Sequence, residues 1–182
     1  MPHSNRPHRR ITGRTVGFLI VVAFLLGGLF WDGSPLGGLL VREAVHFKFK
    51  DVREVSPSAL VAWMRDPTRP PPLIVDARPE ADYALSHIAA AVRLDPVTPD
   101  LAVLAHVPRD QPVVAYDATG VGGAAMAVAL GQAGFTRVSS LEGGLFRWAN
   151  EGYPLSADSG QPTKVAGVSW GWDRLLKGRF HR

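Results

Sequence analysis

The stretch VVAYDATGVGGAAMAVAL, Val113 to Leu130, runs from an apolar segment of strand type through a glycine-rich loop into a small-residue segment of helical type. A strand, a tight loop and a helix N-terminus bring free backbone N–H groups and the positive helix end to one point. That device binds anions or presents nucleophiles. The loop here is Asp117, Ala118, Thr119, Gly120, Val121 and Gly122, and the group at its focus is the Asp117 carboxylate. A carboxylate that attacks phosphorus works with bound Mg²⁺ and a second acid, and the loop supplies neither. Asp117 as a base toward a neutral or cationic substrate is a further alternative. The favoured reading is that Asp117 accepts N–H bonds from the loop or the first helical turn, an internal anion in place of an external one.

Other candidate groups are weaker. Gly120-Val121-Gly122-Gly123-Ala124-Ala125 fits a dinucleotide fingerprint after a strand, with Glu142 about 20 residues on, but the match is cheap in a chain this rich in Gly and Ala. Asp76 and Arg78 form a charged pair better suited to fixing a strand end and its loop than to catalysis. His87 could serve as a base, yet with no nucleophile beside it a hydrogen-bonded loop role is preferred. His3, His8, His46, His106 and His181 lack metal-ligand spacing, so neither a metal nor another cofactor is expected. The chain has no cysteine, which excludes disulfides, thiolate metal sites and any thiol nucleophile.

The elements that must position this loop read as an α/β domain. Ser56 is placed to cap a helix that has Pro57 at its first position and Leu60, Val61, Trp63 and Met64 on one face. LIVDAR, from Leu73, is a short apolar run of the kind buried on both faces of a parallel sheet. A short helix over Pro79 to Ser86, a loop to Ala90 and a strand from Ala91 to Leu94 follow. Asp100 to His106 reads as helical, Val113 to Tyr116 as a strand, Gly122 to Ala133 as a helix and Arg137 to Ser140 as a strand. A last helix starts at Leu145 and is closed by Gly152 and Pro154. Strands and helices alternating at this spacing predict a parallel sheet flanked by helices. Alternation from Val45 to Lys50 suggests one more, half-exposed strand, and Trp63 and Trp148 are expected in the core.

Three stretches together carry a family resemblance. LIVDARPEADYALSHIAAAVRL resembles the Asp-x-Arg strand end and the following Gly-His-Ile-Pro-Gly-Ala loop of the rhodanese-like domain, here Ser86-His87-Ile88-Ala89-Ala90-Ala91. VVAYDATGVGGAAMAVALGQAGFTRV is similar to its strand, active-site loop and helix, with an Ala-Gly-Phe turn at Ala133-Gly134-Phe135. LEGGLFRWANEGYPL matches its closing pattern through Gly143, Gly144, Trp148, Gly152 and Pro154. For an active member the resemblance implies sulfur transfer, or phosphoester hydrolysis, through a Cys at the start of a Cys-x-x-Gly-x-Arg type loop. Asp117 stands at the Cys position, Gly120 keeps the glycine, and Gly122 stands at the Arg position. A carboxylate cannot carry a persulfide, because that chemistry needs a polarizable sulfur that forms and breaks an S–S bond. No Lys or Arg between Asp117 and Gln132 can grip an oxyanion. The expected domain is thus an inactive member of the family.

The rest of the chain concerns location. The 182 residues suit one domain plus appendages. They divide into a basic segment at 1–14, an apolar segment at 15–31, a connector at 32–51, the domain at 52–155 and a basic, aromatic tail at 156–182. The apolar segment, Thr15 to Trp31, carries no charge; its roughly 17 residues span about 25 Å as a helix, the low end for crossing a bilayer. With no small-x-small cleavage site after it, an uncleaved transmembrane signal anchor is preferred to a cleaved signal peptide. Arg6, Arg9, Arg10 and Arg14 precede it, and its other flank meets no cation until Arg42. That asymmetry predicts a cytoplasmic N-terminus and an exported domain, periplasmic in a bacterium. Formal charge is +4, from 20 Lys and Arg against 16 Asp and Glu, but cations crowd the two ends, so the near-neutral centre argues against nucleic-acid binding. The expectation is a single-pass membrane protein whose domain binds a protein partner in a membrane-associated assembly. The tail VSWGWDRLLKGRFHR suits a membrane surface or an acidic partner, or is simply solvated.

Overall fold

The computed structural model describes residues 47–160 and Val165. Five strands, β1 (Arg53–Val55), β2 (Leu73–Asp76), β3 (Val92–Arg93), β4 (Val113–Tyr116) and β5 (Val138–Leu141), form one sheet in the order β1-β5-β4-β2-β3. Every pairing is parallel, with Asp76 beside both Arg93 and Tyr116, and Ala115 beside Ser140. Four helices cover it: α1 (Pro57–Arg65), α2 (Glu80–Leu85), α3 (Val121–Gln132) and α4 (Gly144–Asn150), joined by a 3-10 turn at Leu101–Leu104.

Alternating side chains of the central strands fill two cores. Ile74, Val114, Tyr116 and Leu141 face Leu60 of α1 and Leu145, Phe146 and Trp148 of α4. Val75, Val113 and Ala115 face Leu104 and Met126, Ala127 and Leu130 of α3. That two-sided burial explains why β2 and β4 are continuously apolar in sequence. Ser56 caps α1 by accepting the Ala59 N–H at 3.2 Å, with Pro57 behind it, as its position predicts.

Some expectations need correction. Among the described residues the alternation at Val45 to Lys50 is not a strand: Phe47 and Lys48 are helical, Phe49 and Lys50 lie in a turn, and the first described strand begins at Arg53. Three residues pair there, because β1 is an edge strand bonded only to β5. The segment Asp100 to His106 shortens to the 3-10 turn. Trp148 is a core residue, 2% exposed. Trp63 is only half-buried, its indole donating to the Pro70 carbonyl at 3.0 Å with Arg69 over the ring. Met64, placed on the same apolar face, is exposed.

The packed unit also runs beyond the expected limits of 52 and 155. Phe49 packs on Ala124 of α3. At the other end Ser156 exchanges two backbone hydrogen bonds of 2.8 Å with His87, Asp158 donates to the Ala84 carbonyl, and Val165 is buried in the α1/α4 core. The apolar segment 15–31 and the tail beyond Val165 lie outside the described residues, as do His3, His8, His46 and His181. Among the described residues no helix is long and apolar enough to cross a membrane.

Candidate functional site

Asp117 follows the last residue of β4, the middle strand of the five, at the carboxyl edge of the sheet where open parallel sheets hold their ligands. Its side chain turns back on its own loop. One carboxylate oxygen, Oδ1, accepts the Thr119 N–H at 3.2 Å and a shorter bond from the Gly120 N–H; the other, Oδ2, takes the Thr119 hydroxyl at 3.4 Å. These are the donors that an external anion would use at such a junction. Gly120 then takes a positive φ of 104° and its carbonyl accepts the Ala124 N–H, which starts α3. Only glycine adopts that angle without strain, and a Cβ there would also sit 3.2 Å from the Gly143 nitrogen.

The next glycine is missing a side chain for a different reason. A Cβ on Gly122 would lie 3.0 Å from both Cβ and Oδ2 of Asp117. The bare backbone at 122 and the inward carboxylate at 117 therefore occupy one small volume together. Ala118 and Thr119 are buried and Val121 is exposed, so the six residues form a closed loop with its polar groups turned inward.

α4 supports the loop from below. Leu145 and Phe146, in its first turn, donate to the Asp117 and Ala118 carbonyls at 2.8 and 3.0 Å. Gly144 permits this approach: it has φ 57°, and a Cβ on it would stand 2.5 Å from the Asp117 carbonyl oxygen. Glu142, the acid of the dinucleotide reading, engages Arg147. Burial works against the Arg147 charge, but Glu151 and Glu142 hold its pKa above the ordinary arginine value.

The other candidates turn out to fasten elements together. The Arg78 guanidinium grips Asp76 through Nε at 2.9 Å and Nη2 at 2.6 Å, and Nη2 also donates to the Ser86 carbonyl, all of it buried. Burial opposes the Arg78 charge, yet its bonds to Asp76 hold its pKa above the ordinary value. Strand end and adjacent loop are thus tied, as the pair's type suggests. Nearby Asp82 has its pKa raised, because burial outweighs the attraction of Arg78. His87 is buried, stacked on the Tyr83 ring at 4.0 Å, with Nδ1 2.9 Å from the Tyr83 carbonyl. Tyr116 carries a role that sequence reading missed. Its hydroxyl accepts the Ile88 N–H at 3.0 Å, and burial raises its pKa strongly, so it stays a neutral phenol. The only sequence signal for it was a hydroxyl at the end of an otherwise apolar strand.

Together these features define a parallel α/β domain whose loop at the mouth of the middle strand is braced by a Gly-Gly helix start. The chain belongs to the rhodanese-like domain family, whose profile matches residues 56–151. It is 34% identical over 88 residues to a sulfurtransferase of Allochromatium vinosum, a match that takes in 48% of this chain and 81% of the relative. Among solved structures, a Bacillus halodurans protein aligns with a TM-score of 0.56 at 21% identity, over 68% of this chain and 90% of its own. A thiosulfate sulfurtransferase from Pseudomonas aeruginosa aligns with a TM-score of 0.53 at 20% identity, over 76% of this chain and 25% of its own. At those identities the structural matches speak for the fold alone.

Proposed function

We propose that this chain is a rhodanese-like domain without sulfurtransferase activity, held at a membrane by residues 15–31 with its domain on the exported side, where it binds a protein partner. The observation that carries the reading is the Asp117 side chain: it stands where the family places its thiol, and its oxygens are engaged by the loop's own donors. A persulfide needs a sulfur that leaves and returns, and the whole chain contains no cysteine. What such a domain keeps is a rigid fold with a closed loop rim, and fold alone does not fix which partner it meets.

The full chain, purified in mild detergent, is assayed for thiosulfate-to-cyanide sulfur transfer beside Asp117→Cys and Asp117→Cys/Gly122→Arg. The natural form is expected to run at the uncatalysed rate, with any turnover confined to the cysteine variants. Turnover by the natural form ends the proposal. A small molecule retained in native mass spectra and lost on Asp117→Ala would favour instead an enzyme or binding protein that uses Asp117 toward a neutral or cationic ligand. Cleavage of the domain by protease added to intact spheroplasts tests the orientation.

A further inference from the structure

The outer side of α3 is unusual for a surface helix. Its sequence, VGGAAMAVALGQ, contains no charged residue. One side packs into the core through Met126, Ala127 and Leu130, while Val121, Ala125, Val128 and Gln132 are exposed. Spacings of four, three and four put these on one stripe. Val121 and Val128, 36% and 38% exposed, keep apolar surface in contact with solvent, where a helix on a sheet ordinarily carries charge.

The stripe has a neighbour that says what covers it. Ala124, along its edge, is fully buried under Phe49 and Val52, so the chain enters the domain beside this stripe. Two residues earlier Phe47 is 89% exposed, the most exposed large apolar side chain among the described residues. Lys48, Lys50 and Arg53, which follow it in sequence, are exposed, with Asp51 the only exposed acid between them. Lys48 Nζ stands 5.2 Å over the Phe49 ring. An exposed aromatic flanked in sequence by cations, beside an uncharged helix face, is the composition of a surface that lies on lipid headgroups, apolar groups toward the acyl boundary and cations toward phosphate.

We propose that this surface, Phe47 with the Val121–Ala125–Val128 stripe and its lysines, rests on an anionic lipid bilayer. The inference rests on the membrane-anchored reading and extends it from attachment to orientation. Residues 32–46 are the 15 that join the anchor to Phe47. Attachment through so few residues keeps the domain close to the bilayer, so a contact too weak to recruit a free protein still orients this one. α3 starts at the Asp117 loop, so its orientation fixes how the loop rim is presented above the membrane.

The absence of cysteine makes the test clean, since one introduced thiol takes one label. The full chain with Val128→Cys or Ala125→Cys, and with Ser58→Cys on the exposed start of α1 across the sheet, is labelled with an environment-sensitive fluorophore. Each is reconstituted into vesicles of phosphatidylcholine and phosphatidylglycerol carrying a nitroxide-lipid quencher. The α3 labels are expected to be quenched several-fold more than the Ser58 label, and Lys48→Glu/Lys50→Glu or high salt should remove most of the difference. Equal quenching at both faces, in a chain that resists alkaline extraction, overturns the surface and leaves the anchor standing. A blue-shifted but unquenched α3 label means protein covers the stripe, which also overturns it. If alkali extracts the chain, the anchor reading fails, and flotation of the extracted chain with the same vesicles decides the surface: flotation lost in Phe47→Asp upholds it, and no flotation overturns it.

Discussion

Asp117 and Gly122 share a space that holds either a carboxylate turned inward or a side chain at 122, and not both without adjustment. Their two departures from the family's loop are therefore one coupled change. Alanine at 117 leaves the Thr119 and Gly120 N–H groups without their acceptor and is expected to destabilise the domain by about 1–2 kcal/mol in denaturant unfolding. Alanine at 122 should be unfavourable beside Asp117, because the new methyl meets the carboxylate. In the Asp117→Ala background the same substitution should cost less, since the carboxylate is gone and only the Cβ at 117 stands 3.0 Å away, while Gly→Ala raises helix propensity near the start of α3. A double-mutant cycle should return a coupling of about 0.5–3 kcal/mol, and additivity would show that the two positions are independent. The sequence displayed both substitutions and their order in the loop. It could not display the contact between them, which depends on the carboxylate rotamer.

The elements were legible to the extent that local chemistry specifies them. The Ser56-Pro57 cap, the apolar runs of β2 and β4 and the Asp76–Arg78 tie follow from residue type and short spacing, and they stand in the structure as read. Phe47–Lys50 misled because an alternating pattern also arises where a helical end runs into a turn whose Phe49 packs on a helix distant in sequence. Trp63 misled because α1 leans only part of its face on the sheet and the Pro-rich turn takes the indole N–H. The buried tie is where an element-scale prediction belongs. Arg78→Ala strands the Asp76 carboxylate without its partner and releases the Ser86 carbonyl, and should lower stability by about 3–5 kcal/mol. The joint replacement Asp76→Asn/Arg78→Leu should recover much of that loss. If Arg78→Ala unfolds at an unchanged urea midpoint, the pair is not what holds β2 to the loop after α2.

At the level of the whole molecule, the domain is closed by chain that follows the family's own pattern. Ser156 pairs with His87, and Val165 belongs to the same α1/α4 core as Trp148 and Ile88. Nothing local in SADSGQPTKV marks Val165 as structural, since its burial comes from contacts made across the fold. Val165→Ala removes two buried methyl groups and should cost about 1–2 kcal/mol, a fall of several degrees in Tm for a domain of this size. A chain ended after Leu155 should lose more, and an unchanged Tm in both would show that these contacts are dispensable. The same closed design has a chemical corollary. Iodoacetamide, peroxide and other reagents that silence a reactive thiol find none in this loop, which keeps its charge at any redox poise. On the proposed reading, an oxidant-sensing thiol in its assembly would lie on the partner, because these 182 residues contain no cysteine.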